Sequence, residues 1–99
     1  MMTIVVLLSI RSEEAFQRFE HQAIAIMAEY GGKLDSAFRP SLSDPLPSAG
    51  VDEVHILKFP DQEAFERYKA DARLVPLTAL REEAIISTTV YASMRELDY

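Results

Sequence analysis

The sequence predicts an α+β fold in which two strand–helix–strand units share one four-stranded antiparallel sheet, with both long helices on the same face. Three observations carry this reading. "SEEAFQRFEHQA" from Ser12 and "DQEAFERYKADA" from Asp61 say nearly the same thing 49 positions apart. Each copy follows a run rich in Val, Ile, Leu or Phe, which is the pattern of a strand. A further strand candidate comes after each copy.

Taken in order, the first strand is "TIVVLLSI", from Thr3 to Ile10. Ser12 then offers a side-chain oxygen to free backbone N–H groups, and Glu13 and Glu14 favour the positive end of a helix dipole. Phe16, Phe19, Ala23, Ile26 and Tyr30 recur at steps of three and four, so they share one helix face. "YGGK" ends that helix, since Gly31 or Gly32 can take the left-handed conformation. "KLDSAFR" (Lys33 to Arg39) alternates Leu34, Ser36 and Phe38 against Lys33, Asp35 and Ala37 as a second strand. The stretch Pro40 to Gly50 holds three prolines and three serines and reads as a loop. It is either a plain connection or a lid over a cavity mouth.

"EVHILKF" (Glu53 to Phe59) is the third strand. Asp61 and Glu63 open the second helix, whose inner face is Phe65, Tyr68 and Ala72. "PLTALREEA" suits a short helix with Pro76 in its first turn and Leu77, Leu80 and Ala84 on one side. "IISTTVYASM" (Ile85 to Met94), rich in β-branched residues, is the last strand. The order βαββαβ is that of a ferredoxin-like sandwich, and right-handed crossovers put both helices on one side of the sheet.

The bulk properties agree with one domain spanning residues 1–99. A chain of this size buries only roughly 65% of its unfolded surface, so a subunit interface would add usefully to its core. Sixteen acidic residues against 10 basic ones give a net charge of −6. That balance argues against nucleic acid and anionic membranes as partners, because affinity for phosphates rests on Lys and Arg. With no cysteine, disulfides, thiolate metal sites and cysteine nucleophiles are excluded. The first apolar run is too short to span a membrane and lacks the layout of a signal peptide. A soluble, cytoplasmic protein is expected.

Strand parity raises a problem on the bare side of the sheet. Ile4, Val6, Leu8 and Ile10 point one way; Val5, Leu7 and Ser9 point the other. By the 49-residue offset, Val5, Leu7 and Ser9 correspond to Val54, Ile56 and Lys58. The open face then carries four large aliphatics, with Ser9 and Lys58 at one end. Monomers rarely leave such a patch wet, so a homodimer closed sheet to sheet is expected.

The Tyr-Gly-Gly after the first helix, the aliphatic strand ending in Phe59-Pro60, and the "EAFERY" helix with its Pro-containing turn resemble the small dimeric α+β-barrel proteins. The resemblance runs from about Thr3 to Met94 and is closest to a bacterial branch catalogued as a domain of unknown function. It implies a barrel formed by two facing sheets. The wider superfamily includes cofactor-free monooxygenases acting on quinol-like polyketides, muconolactone isomerases and haem-binding members. No catalytic motif carries over residue by residue.

Among candidate site residues, His55 reads as a packed, hydrogen-bonded core histidine facing the helices, or as a proton shuttle. His21 lies off the apolar stripe and reads as a surface residue. Lys58 and Ser9 face the interior of the expected barrel, where Lys58 would either orient an anionic ligand or form an ion pair across the dimer. Tyr91 shares parity with Ser87, Thr89 and Ser93, a row that either lines a cavity with hydroxyls or is a solvated edge. Lys58 and His55 are thus the catalytic candidates, and Ser9, Lys58 and Tyr91 the ligand-binding ones. Asp35 and Arg39 share parity on the second strand and read as exposed.

Several alternatives fail. "GGK" lacks the rest of a phosphate loop. No His or carboxylate cluster has metal-ligand spacing, so neither metal nor other cofactor is expected. There is no Gly-x-Ser-x-Gly elbow. RNA-recognition modules share this strand order but need sheet-face aromatics beside basic residues, which are missing here. The leading expectation is a homodimer that binds a small organic molecule between sheet and helices. Its rivals are a cofactor-independent monooxygenase or isomerase acting on an aromatic or polyketide-like substrate, and a ligand-binding regulatory module.

Overall fold

The computed structural model describes residues 1–40 and 50–99. Its elements are β1 (Met2–Ile10), α1 (Glu13–Ala28), β2 (Lys33–Phe38), β3 (Glu53–Phe59), α2 (Gln62–Lys69), a 3-10 helix (Ala72–Leu77), α3 (Thr78–Ala84) and β4 (Ile85–Tyr91). The strands form one antiparallel sheet in the order β2-β3-β1-β4. This is the predicted ferredoxin-like sandwich.

The local signals act as the sequence suggests. Ser12 Oγ accepts from the backbone N–H of Ala15, and Asp61 Oδ1 accepts from Ala64 N–H. The two copies of the repeat therefore start their helices by the same means. After α1, Gly31 takes φ +76°, a left-handed conformation that closes the helix at no Cβ cost. Gly32 is needed for another reason, because a Cβ there would lie 2.5 Å from the ring of Phe59.

One face of the sheet is covered by helices. Ile4, Val6 and Leu8 of β1 and Phe59 of β3 are buried under Phe16, Phe19, Ala23 and Met27 of α1 and Phe65 of α2. Phe59 packs edge-on against Phe65, with ring centroids 5.2 Å apart, and Ile4 is likewise fully buried. Each such side chain contributes about 1.5–3 kcal/mol by leaving water.

Among the described residues, no helix lies over the opposite face. Val5 pairs with Ile56 and Leu7 with Val54 on the two central strands, and all four are half-buried. Phe38 of β2 (59% exposed) and Tyr91 of β4 (51%) flank them on the same face.

Four local expectations need correction. In β2 the register shifts between Leu34 and Ser36, so Asp35 is an extra residue. Leu34 therefore joins the helix side with Leu57, while Ser36 and Phe38 join the open side. Pro76 does not open α3; it sits inside the 3-10 helix, and α3 starts at Thr78. Because α2 ends at Lys69, Ala72 falls outside it and is exposed. β4 ends at Tyr91, short of Met94, and Ser93 takes φ 57°. The backbone N–H of Met94 still donates to Thr3 O, 2.9 Å away.

The stretch read as a lid or a connection, Pro40 to Gly50, lies mostly outside the described residues. Among the described residues, no helix is long and apolar enough to cross a membrane.

Candidate functional site

A cavity of about 230 Å³ lies between the sheet and the helices. Its floor is apolar because β1 turns Ile4, Val6 and Leu8 toward it and β3 adds Leu57. The roof is built from the inner stripe of α1 (Phe19, Ala23, Ile24, Met27) with Phe65 of α2. Into this apolar shell project His55 from β3, Glu20 from α1, Tyr68 and Lys69 from α2, Arg81 from α3 and Thr88 from β4. A mostly apolar concavity with a few convergent polar groups is the usual form of a small-molecule site, though this one is below the usual range of about 300–1,000 Å³.

Among the described residues, His55 is the polar side chain buried in the core, at 4% exposure. Val6 sits opposite it in the register, so β1 fixes its helix-facing direction. Its Nε2 hydrogen bonds the carboxylate of Glu53, and its Nδ1 points at Glu20 Oε2, 3.8 Å away. The second separation is too long for a hydrogen bond. The Glu53 carboxylate accepts, so Nε2 carries the proton that it donates, and Nδ1 is the nitrogen turned toward Glu20. A carboxylate that holds one ring nitrogen fixes which tautomer the other presents.

Glu53 is itself held. Its Oε1 accepts from Arg39 Nε at 2.9 Å, and the same guanidinium donates to both oxygens of Glu13, at 2.6 and 2.9 Å. Arg39 is thus not simply exposed. It clamps β2 to the end of β3 and the first turn of α1, and it neutralises the carboxylate that orients His55. On this side a second, more open concavity lies between α1 and β2, and Glu20, Ile24 and His55 form the wall that it shares with the first.

The electrostatics favour protonated side chains inside the cavity. Burial pushes the Glu20 carboxyl above its ordinary range, and the nearby His55 only partly offsets this. Burial also pushes the Tyr68 phenol up, to about 12, with the Glu20 charge adding to the effect. Burial thus favours the protonated forms of Glu20 and Tyr68, while Glu53 at Nε2 fixes how the His55 ring is turned. Among the described residues, no buried side-chain polar atom lacks a partner. Nor do three or more His, Asp or Glu side chains gather as a metal site would require. Glu20 and Glu53 stand at opposite nitrogens of one ring and do not converge on a point.

The residues singled out from the sequence separate into two groups. His55 lines the cavity. Lys58, Ser9 and Tyr91 lie on the open face instead, and the structure does not bring them together. Lys58 is opposite Thr3 and donates to its Oγ1 at 2.6 Å, whereas Ser9 pairs with Ser87 and Tyr91 with Val5. The expectation that Ser9 and Lys58 share one end of the sheet is thereby corrected. The offset compared them as equivalents along parallel copies, but β1 and β3 run antiparallel, which leaves them six residues apart on β1, about 20 Å. His21 is on the helix surface, as expected.

Glu20, Glu53, Tyr68 and Arg81 were not singled out by sequence. Two of them did leave a signal. Glu20 sits between Phe16 and Ala23 at helical spacing, a carboxylate within the apolar stripe, and Glu53 is two residues before His55 and shares its strand face.

No protein-family model matches the chain, and no curated protein matches it in sequence. Solved structures do resemble it. A protein of unknown function from Rhodopseudomonas palustris superposes with a TM-score of 0.80 at 16% identity, covering 99% of this chain and 83% of that one. The fold is ferredoxin-like. The same holds for a DABB family protein with a ferredoxin-like fold from Mesorhizobium loti (TM-score 0.67, 16% identity, 96% of both chains). SnoaB, a cofactor-independent oxygenase from Streptomyces nogalater, gives 0.64 at 15% identity over 99% of this chain and 97% of its own. These are the kinds of protein to which the sequence resemblance pointed. At such identities the likeness is one of fold.

Proposed function

We propose that the protein binds a small organic molecule in the cavity between sheet and helices, as a homodimer closed through its open sheet face. The observation that supports the site is His55, a buried imidazole held by Glu53 on one nitrogen and presenting the other beside Glu20 at the wall of an apolar cavity. The polar end offers His55 Nδ1, the Glu20 carboxyl and the Tyr68 hydroxyl as hydrogen-bonding groups. That set suits a molecule with a hydroxyl and a carbonyl on an apolar body. The support for the dimer is the half-buried row Val5, Leu7, Val54 and Ile56 on a face that no helix covers among the described residues.

Native mass spectrometry of the purified protein tests both parts. The expected species is a dimer carrying a small-molecule mass increment. The increment should vanish in Ala23→Leu, which fills the cavity from α1. A bare monomer at micromolar concentration would contradict the proposal.

A second reading, cofactor-independent oxygenation or isomerisation, draws on the same histidine and on the fold shared with SnoaB. A base in a site shielded from water can take a proton from a phenol or an activated C–H. The resulting electron-rich anion either takes the proton back from the histidine at another carbon, or forms a C–O bond with dioxygen and, with that proton, a hydroperoxide that loses water to leave a carbonyl. Oxygen uptake and product analysis with a panel of dihydroxyaromatic compounds, comparing wild type with His55→Ala, separates this from binding alone. A rate that His55→Ala leaves unchanged removes the catalytic role.

A further inference from the structure

Resting on the reading of the cavity as a binding site, we infer that its ligand is an organic acid, whose carboxylate stays at the cavity mouth on Arg81 while its apolar body fills the interior. The walls are graded in exposure. Ile4, Leu8 and His55 are buried, whereas Lys69, Arg81 and Val90 are exposed and so mark where the cavity meets water. Two of these three mouth residues are cations, on a chain whose net charge is −6.

The two cations differ in what they already hold. Lys69 Nζ lies 3.1 Å from Glu66 Oε1 and 4.5 Å above the Phe65 ring, so its charge is largely answered. Arg81 donates through Nη2 to Thr88 Oγ1 at 3.0 Å, a neutral hydroxyl on the facing strand. Among the described residues it has no carboxylate within ion-pair distance. A guanidinium tethered by one arm keeps its other N–H groups in a fixed fork, the geometry that receives a carboxylate on two hydrogen bonds. Glu20, inside the same cavity, lies beside His55 rather than within ion-pair distance of Arg81; burial raises its pKa, while the charges of His55 and Arg81 oppose that rise. The cavity thus presents a cation at the rim, an apolar middle and a hydrogen-bonding end at His55. A molecule complementary to it has an anion at one end and is uncharged and mostly apolar beyond.

The test compares acids with their neutral amides of nearly equal shape: 4-hydroxybenzoate, 2-naphthoate and octanoate, each against its amide. Affinities are measured calorimetrically near neutral pH and low salt for wild type, Arg81→Gln and Lys69→Gln, with circular dichroism confirming the fold. Methyl resonances of Ile4 and Leu57 report that binding is in the cavity. At least one acid should bind about tenfold or more tightly than its amide, as expected when a hydrogen bond to a charged group is added. Arg81→Gln should erase that preference without abolishing binding of the amide, and Lys69→Gln should change it less. Acid and amide binding equally well, or a preference that survives Arg81→Gln, overturns the assignment and leaves the cavity as a site for neutral molecules. Six compounds that all leave the cavity methyls unshifted would overturn the binding reading itself.

Discussion

Gly32 is the position where one added methyl group should do most harm. Its Cβ would fall 2.5 Å from Cε1 and Cζ of Phe59 and 2.6 Å from Cγ of Met27. Carbon atoms pack best at about 3.5–4.0 Å, so each of the three contacts is about 1 Å too short. Met27 can turn aside, but Phe59 cannot. It is fully buried and wedged between the rings of Phe65 and Tyr68, with centroids 5.2 and 5.6 Å away. The strain must then move the start of β2. Overpacking of this kind costs about 1–3 kcal/mol, and the upper half applies where backbone has to shift. Against this, alanine gains about 0.4–1 kcal/mol by stiffening the unfolded chain. The net expectation for Gly32→Ala is a loss of about 1–2.5 kcal/mol, which lowers Tm by roughly 5–15 °C in a chain of this size. Thermal unfolding by circular dichroism, paired with urea titration to show an unchanged m-value, measures it. Gly50→Ala is the control: among the described residues its Cβ would meet Ser9 Oγ at an ordinary 3.6 Å, and φ +84° adds a strain of roughly 1–2 kcal/mol without any clash at Phe59. Gly32→Ala melting within 2 °C of wild type would refute the packing described around Phe59.

Two titrations test the cavity's electrostatics. The Tyr68 phenol is held at about 12 in the fold against an ordinary value of 10. Folded and unfolded chains both keep this proton below pH 10, so its contribution is fully present there and is lost as pH rises toward 12. The loss is about 2 kcal/mol after allowance for partial exposure. Urea midpoints at pH 9 and 11.5 should fall further apart in wild type than in Tyr68→Phe. Glu20 is a carboxyl whose folded value lies above its unfolded one, so its contribution is present at low pH and lost as pH rises through the folded value. Glu20→Gln should therefore melt a few degrees higher than wild type at pH 7 and no higher at pH 3, by calorimetry at both.

Most of the fold was legible in the sequence because it rests on short-range physics. The repeated caps at Ser12 and Asp61, the stripe from Phe16 to Ile26, and the alternation in β1 each follow from local geometry. The departures arise where one residue breaks a period. Asp35 enters β2 as a bulge, and nothing in "KLDSAFR" distinguishes it from an ordinary strand. The helix-facing direction of His55 was legible from parity. Its surroundings were less so, since Glu20 reaches it from α1 and Arg39 holds its partner Glu53 from the end of β2, and only the assembled sheet brings them close. Lys58 and Ser9 stand out as polar residues on apolar strands, and Tyr91 for the row of hydroxyls that shares its parity. All three lie on the face away from the cavity. A repeat offset matches equivalent positions, not neighbours, and in an antiparallel sheet the two differ by the length of the strand.

The central claim is that ligand enters on the helix side of the sheet, against His55. Alternation makes this directly measurable, because neighbouring residues on one strand report opposite faces. With selectively labelled Ile, Leu and Val methyl groups, a bound small molecule should shift Ile4, Val6, Leu8 and Leu57 while leaving Val5, Leu7, Val54 and Ile56 in place. Shifts confined to the second set would contradict the account and move the site to the open face.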